Sequence, residues 1–180
     1  SMRIWHAGCS TGEEVYTMSI VLDERNLLSR ARLEASDLSS KALAKAKSGQ
    51  YSLDIIKQYL NPFLKFFPNK KIEDYFLFTE KYAEIKPRYK QNINFSRHNL
   101  VHDSVNGKYD IVFCRNVMIY FDDQLKLKVL TLLHQCLKPN GYLIIGYYDI
   151  MPDSGKSLFQ VEDIKTRIYR KKEPSASLAK

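Results

Sequence analysis

The chain reads as an α/β domain with a mostly parallel sheet, and three observations predict it. Short apolar segments alternate with helical ones along most of the length, which is the pattern of βαβ units. One of them, Tyr109-Asp110-Ile111-Val112-Phe113-Cys114, is apolar almost throughout, as a strand covered on both faces must be. Gly8 and Gly12 bracket a tight link between a first strand and a first helix, where glycine permits left-handed backbone and close approach of a ligand.

Met2 to Ala7 is a short buried strand, and a helix runs from Glu13 to about Leu28 with Val15, Met18, Ile20, Val21 and Leu22 on its apolar face. Arg32 to Asp37 is a second strand ending in an acid. Ser39 or Ser40 can cap the next helix, which stops at Ser48-Gly49. Residues 51 to 95 are aromatic and basic, and Pro62, Pro68 and Pro87 are expected to break any long helix there. An insertion is expected over about 66–95, as a small β-subdomain with short antiparallel strands near Tyr75–Phe78 and Ala83–Lys86. After the strand at Tyr109, Leu125 to Leu137 is helical, Lys138-Pro139-Asn140-Gly141 is a turn, and Tyr142 to Gly146 is another buried strand. Phe159–Val161 and Thr166–Arg170 form a terminal antiparallel pair, so the final strand is antiparallel; 171–180 is expected to be a disordered tail.

Size and composition narrow the function classes. The 180 residues suit one domain, and 44% hydrophobic with 27% charged residues is the balance of an ordinary globular protein. No apolar run approaches the roughly 18–20 residues that span a bilayer, and no long apolar stretch follows Ser1-Met2-Arg3, so this start is not expected to be a signal peptide. Membrane insertion is therefore not expected, and a cytoplasmic location is. Cys9, Cys114 and Cys136 have no CxxC spacing, and His6, His98, His102 and His134 do not cluster with them, so buried reduced thiols are expected and no metal. The net charge of +8 is spread along the chain and mixed with Glu73, Asp74, Glu80 and Glu84, which does not favour nucleic acid as a partner.

Three places carry chemistry. The Gly8–Gly12 loop lacks both the G-x-G-x-x-G of a dinucleotide site and the lysine of a P-loop. Glu13 and Glu14 open the helix instead. Carboxylates there suit the helix dipole but repel phosphate and attract a cation. Asp37, at the end of the second strand, stands where an acid can accept bonds from ribose hydroxyls; capping a helix is the lesser alternative. Arg115-Asn116 comes directly after a buried strand, where a parallel sheet presents its ligand edge, with Tyr120 close behind.

Taken in order, Ala7-Gly8-Cys9-Ser10-Thr11-Gly12-Glu13-Glu14, Ala35-Ser36-Asp37, Ala46-Lys47-Ser48-Gly49-Gln50-Tyr51, Asn99-Leu100, Cys114-Arg115-Asn116-Val117-Met118-Ile119-Tyr120-Phe121-Asp122 and Leu137-Lys138-Pro139-Asn140-Gly141-Tyr142-Leu143 resemble the CheR chemotaxis methyltransferases from Arg3 to about Arg170. The resemblance implies a class I methyltransferase (Rossmann-like) fold over 3–170, with the insertion as the family's small β-subdomain, which in some members docks a receptor tail. It implies methyl transfer from S-adenosylmethionine, leaving S-adenosylhomocysteine, to glutamate side chains in the cytoplasmic domain of a chemoreceptor. By matching position, Ala7, Gly8, Glu13, Glu14, Asp37, Asn99, Leu100, Arg115 and Asn116 would bind the cofactor, and Tyr120 and Arg115 would work at the methyl group.

Three departures stand beside the resemblance. The helical domain that the family carries before its first strand is expected to be absent here, and with it an arginine near the methyl group. Gly146-Tyr147-Tyr148-Asp149 replaces the usual Gly-His-Ser-Glu and is expected to alter the pocket rim; Ser39 replaces a common acid. Two other readings stay open. One is a non-catalytic S-adenosylmethionine-binding signalling module of the same fold. The other is a nucleic-acid or small-molecule methyltransferase, although Arg115-Asn116-Val117-Met118 takes the place of the Asn/Asp-Pro-Pro-aromatic loop of amino-methylating enzymes.

Overall fold

The computed structural model describes residues 1–173. Its main sheet begins with β1 (Met2–Ala7), which is joined through α1 (Glu13–Glu24) to β2 (Ala31–Asp37). The two strands are parallel, Ile4 beside Leu33 and His6 beside Ala35. Next come α2 (Ser40–Ser48), β3 (Gln50–Ser52), α3 (Leu53–Phe66), β4 (Phe76–Phe78), β5 (Tyr82–Ile85) and β6 (Ile93–Arg97). The second half holds β7 (Tyr109–Cys114), α4 (Asp123–Cys136), β8 (Leu137–Ile145), β9 (Phe159–Asp163) and β10 (Ile168–Lys171).

Seven strands pair in the order β6-β2-β1-β7-β8-β10-β9, and β10 alone runs against its neighbours. From β1 the chain winds outward to β2 and β6, then returns to lay β7 on the other side of β1. Crossovers leave in opposite directions at β1 and β7, which opens a crevice at their carboxyl ends.

Each face of the sheet has its own core. Ile4, Leu33 and Ala35 pack with Val15, Ile20 and Leu22 of α1, and that core runs on into Tyr51, Tyr75, Ile85 and Tyr89. Trp5, Val112, Leu143 and Ile145 pack with Val129, Leu130 and Leu133 of α4 on the opposite face. Full burial of each such side chain contributes roughly 1.5–3 kcal/mol. Cys9, Cys114 and Cys136 are free and buried, as expected of reduced thiols.

Several boundaries differ from the sequence reading. The first helix ends at Glu24, because Asn26 turns left-handed (φ 56°) and the Leu27 N–H closes back onto Leu22. Ser39, not Ser40, caps α2 by accepting from the Ala42 N–H at 3.2 Å. Pro62 lies inside α3 and does not break it. A mid-helix proline costs about 3 kcal/mol, and here the apolar face offsets it. Ile56 is buried, and Phe63 meets Tyr75 and Phe67 at ring distances of 5.3 and 5.4 Å. Lys138–Gly141 makes a bulge inside β8 rather than a turn before it, so that Tyr109 faces Leu137 while Ile111 faces Tyr142.

The inserted subdomain starts earlier than 66 and ends before 95. Its antiparallel sheet, β3-β5-β4, begins at Gln50, whereas Ile93–Phe95 belong to β6 of the main sheet beside Leu33–Ala35. Lys171 is the last residue of β10 and not part of a tail; 174–180 lie outside the described residues.

Two buried tyrosines fasten the subdomain to α1: the Tyr75 hydroxyl donates to Glu24 at 2.8 Å and the Tyr89 hydroxyl to Asp23 at 2.8 Å. Tyr75→Phe and Tyr89→Phe keep the rings packed; the first removes one bond, and the second removes two, because the Tyr89 hydroxyl also accepts from Arg88 at 2.5 Å. Each should lower stability by about 1 kcal/mol in urea unfolding with an unchanged slope. A changed slope would mean that the subdomain unfolds apart from the main sheet.

Candidate functional site

At the carboxyl edge of the sheet lies a cleft of about 1230 Å³, bounded by the segments after β1, β2, β6 and β7. Gly8, Glu13, Glu14, Asp37, Asn99, Leu100, Arg115, Asn116 and Tyr120 all line it. Ala7 does not. It is buried in the core beside Trp5 and Val112, because strand alternation turns its methyl group to the α4 face.

The first loop is shaped by backbone. Gly8 is left-handed (φ 81°), and its N–H and that of Cys9 both donate to the Ser36 carbonyl at 2.8 Å. A Cβ on Gly8 would overlap the Val117 side chain, so glycine is what lets the loops after β1 and β7 meet. Ser10, also left-handed (φ 49°), donates its N–H to Asp37 Oδ2 at 2.8 Å, and Asp37 Oδ1 accepts from the Ser39 N–H at 2.9 Å. Asp37 therefore ties the first loop to the start of α2. Each of its oxygens keeps acceptor capacity for a hydroxyl donor.

The acids at the start of α1 differ in their ties. Both oxygens of Glu13 accept from the Thr11 hydroxyl at 2.7 Å. Glu14 bridges two strands, with Oε1 2.8 Å from His6 Nδ1 and Oε2 2.9 Å from Arg115 Nη1. Burial works against ionisation of Glu14, but the bonds and charge from His6 and Arg115 outweigh it and hold its pKa below the ordinary value. Burial raises the Cys9 thiol to about 12 and pushes Cys114 up as well, so neither is a nucleophile.

The far wall comes from the turn after β6, where the Asn99 side-chain oxygen accepts from the Val101 N–H at 2.9 Å and the Asn99 N–H donates to Asp103 at 2.7 Å. Tyr120 stands at the mouth, 80% exposed. Asn116 is left-handed (φ 58°) and packs so closely on Gly146 that an added Cβ there would sit 2.6 Å from the Asn116 backbone nitrogen.

Two residues that shape the site lie outside the set that sequence reasoning selects. His6 is a polar residue in an apolar strand, and that is its only mark in the sequence. Asp149, expected to alter the pocket rim, is fully buried. Its carboxylate accepts from the N–H groups of Asn116 (2.6 Å), Gly146 (2.8 Å) and Ile119 (3.1 Å), pinning the loop after β7 to the end of β8. The exposed residues of that stretch are Tyr147 and Tyr148.

The residues present suit a phosphate-free, positively charged nucleoside. Carboxylates face the space where a phosphate site would present lysine or glycine N–H groups, and Asp37 can still accept from hydroxyls. The family described as "CheR methyltransferase, SAM binding domain" matches residues 1–168. "Chemotaxis protein methyltransferase 1" of Pseudomonas aeruginosa is 33% identical over 180 residues, covering 95% of this chain and 63% of its own length. "Chemotaxis protein methyltransferase Cher2" of Pseudomonas putida is 36% identical over 154 residues, covering 81% of this chain and 53% of its own. The chain thus spans less than two thirds of these relatives. Among solved structures, the glycopeptide N-methyltransferase MtfA with sinefungin aligns at TM-score 0.51 and 9% identity, over 81% of this chain and 43% of that one. The DhpI–SAH complex aligns at 0.51 and 13%, over 96% and 59%. At such identities the likeness shows the fold, a class I methyltransferase fold, and nothing finer.

Asp149→Ala would leave three backbone N–H groups without their acceptor. It should cost roughly 2–4 kcal/mol in denaturant unfolding, well above the loss from an exposed site such as Asp163→Ala.

Proposed function

The chain belongs to the CheR methyltransferase family over its S-adenosylmethionine-binding domain, and from that premise we propose that it methylates glutamate side chains of chemoreceptors. The observation that carries the reading is the gathering of Glu13, Glu14 and Asp37 around one cleft at the β1/β7 switch point. Glu13, or Glu14 beside it, would take the ammonium end of the cofactor and Asp37 the ribose hydroxyls. Asn99, Leu100 and Asn116 line the nucleoside, and Arg115 and Tyr120 stand at the reacting end.

When bound, S-adenosylmethionine would supply a sulfonium methyl group for transfer to a glutamate oxygen of the receptor, leaving a methyl ester and S-adenosylhomocysteine. A receptor glutamate is already ionised at neutral pH, so no strong base is required of this chain. Its residues instead have to orient the carboxylate and exclude water while opposite charges are neutralised. Arg115, held by Glu14, can steer that carboxylate, and the Tyr120 hydroxyl can hydrogen-bond to it. Tyr147, Tyr148 and Ile150, exposed on the loop that Asp149 ties to Tyr120's segment, offer apolar surface beside the mouth for the receptor.

A non-catalytic cofactor-binding module is the second reading, favoured by the exposure of Tyr120, whose hydroxyl has no partner among the described residues. Calorimetric titration with S-adenosylmethionine and S-adenosylhomocysteine tests the cleft, and methylation of receptor-containing membranes by the full-length protein tests the reaction. Binding without transfer in the full-length protein supports the module. Asp37→Ala should weaken both ligands by about tenfold or more. Tyr120→Phe in the full-length protein should cut turnover about tenfold while leaving affinity within about twofold.

A further inference from the structure

His6 has no part in the function just described, yet it is the one histidine with no exposed surface among the described residues. Its side chain lies on the α1 face of β1, and its ring stacks on Phe113 at 4.7 Å and 4°. Glu14, when ionised, has only acceptors, so the 2.8 Å bond requires the His6 Nδ1 to carry the proton. The opposite nitrogen, Nε2, is buried with no partner. The ring is thus oriented by Phe113 on its face and by Glu14 at one edge.

Resting on the cofactor reading above, we propose that His6 is a positioning residue: it keeps the Glu14 carboxylate ionised and turned to Arg115, and so sets the charge and shape of the cleft floor. The groups facing Glu14 from each neighbouring element are few. His6 reaches it from β1 and Arg115 from the end of β7. Cys9 of the first loop and Cys114 of β7, the latter in the core on the other face of the sheet, lie near it, and both thiols are held protonated by burial, so they carry no charge. Glu13, its neighbour on α1, is turned to Thr11. His6 and Arg115 are therefore the counterweights to burial, and Arg115, at 43% exposed, is the more easily screened of the two.

Without the His6 donor, burial dominates, and Glu14 takes up a proton at a higher pH than before. A protonated Glu14 releases Arg115 into the cleft. The defect should therefore grow as pH falls and fade as pH rises, whereas damage to the fold would be felt at every pH.

Two measurements test this. The first is the pH midpoint of the Glu14 side-chain carboxyl carbon by NMR, assigned with Glu14→Gln. His6→Phe keeps a ring to stack on Phe113 but has no donor, and His6→Ala serves if that variant does not fold. In either, the midpoint should move from below the ordinary glutamate value (about 4.3) to above it, and His6→Asn, whose amide can donate, should bring it part of the way back. An unmoved midpoint overturns the proposal. The second is S-adenosylmethionine affinity by calorimetry. His6→Phe should bind nearly as wild type at about pH 8 and at least about fivefold more weakly than wild type at a pH about one unit below its own Glu14 midpoint, with Glu14→Gln weak at both. A loss equal at both values, or none, overturns the proposal. Should the full-length protein bind no cofactor, the proposed function fails, and the Glu14 midpoint still decides the role of His6.

Discussion

The parallel pairing of β1 with β7 is the constraint on which the other features rest. Ile4 beside Ile111 and His6 beside Phe113 set two strands side by side whose outgoing chains must part, one into α1 and the other toward α4. Parallel strands need their crossovers on a face of the sheet, and crossovers on opposite faces cannot close the gap at the strand ends. The cleft is what that geometry leaves. The loops on either side come together where Gly8 meets Val117, and a side chain at position 8 would keep them apart there.

Backbone donors then hold the cleft's walls. Asp37 accepts N–H groups from two loops and Asp149 from two others. A carboxylate offers about four acceptor sites in a small volume, more than a hydroxyl or an amide oxygen does. Asp37 ends β2 and Asp149 lies in the loop just past β8, close to where backbone N–H groups leave the ladder and need partners. Structural and binding roles are not exclusive here, because Asp37 serves as anchor while keeping lone pairs toward the cleft.

Tyr75, Tyr89 and the aromatic side of α3 make the subdomain an extension of the α1 core. Phe63, Phe67 and Tyr75 form a ring cluster that gives the helix a reason to pass through Pro62. Local propensity was outweighed by burial, the usual outcome where the two conflict in a packed domain. The Gln50–Ser52 strand has the same origin. Three residues carry no pattern of their own, and pairing with Tyr82–Glu84 makes them a strand.

The sequence by itself determined the alternation of elements, the glycine-bracketed first loop, the acids at 13, 14 and 37, and the polar pair at 115 and 116. These are local properties, set by residue type and short spacing, and they survive any arrangement of the rest. It also carried the ordered motifs of the family. Only the tertiary structure decided that Ala7 faces the core, that Asp149 is an internal anchor and not a rim residue, and that His6 reaches Glu14 and through it Arg115. Those outcomes depend on which strand lies beside which and on a register in which one residue of slip exchanges the two faces. Contacts such as Glu14 with Arg115, about a hundred positions apart, exist only once the sheet has assembled.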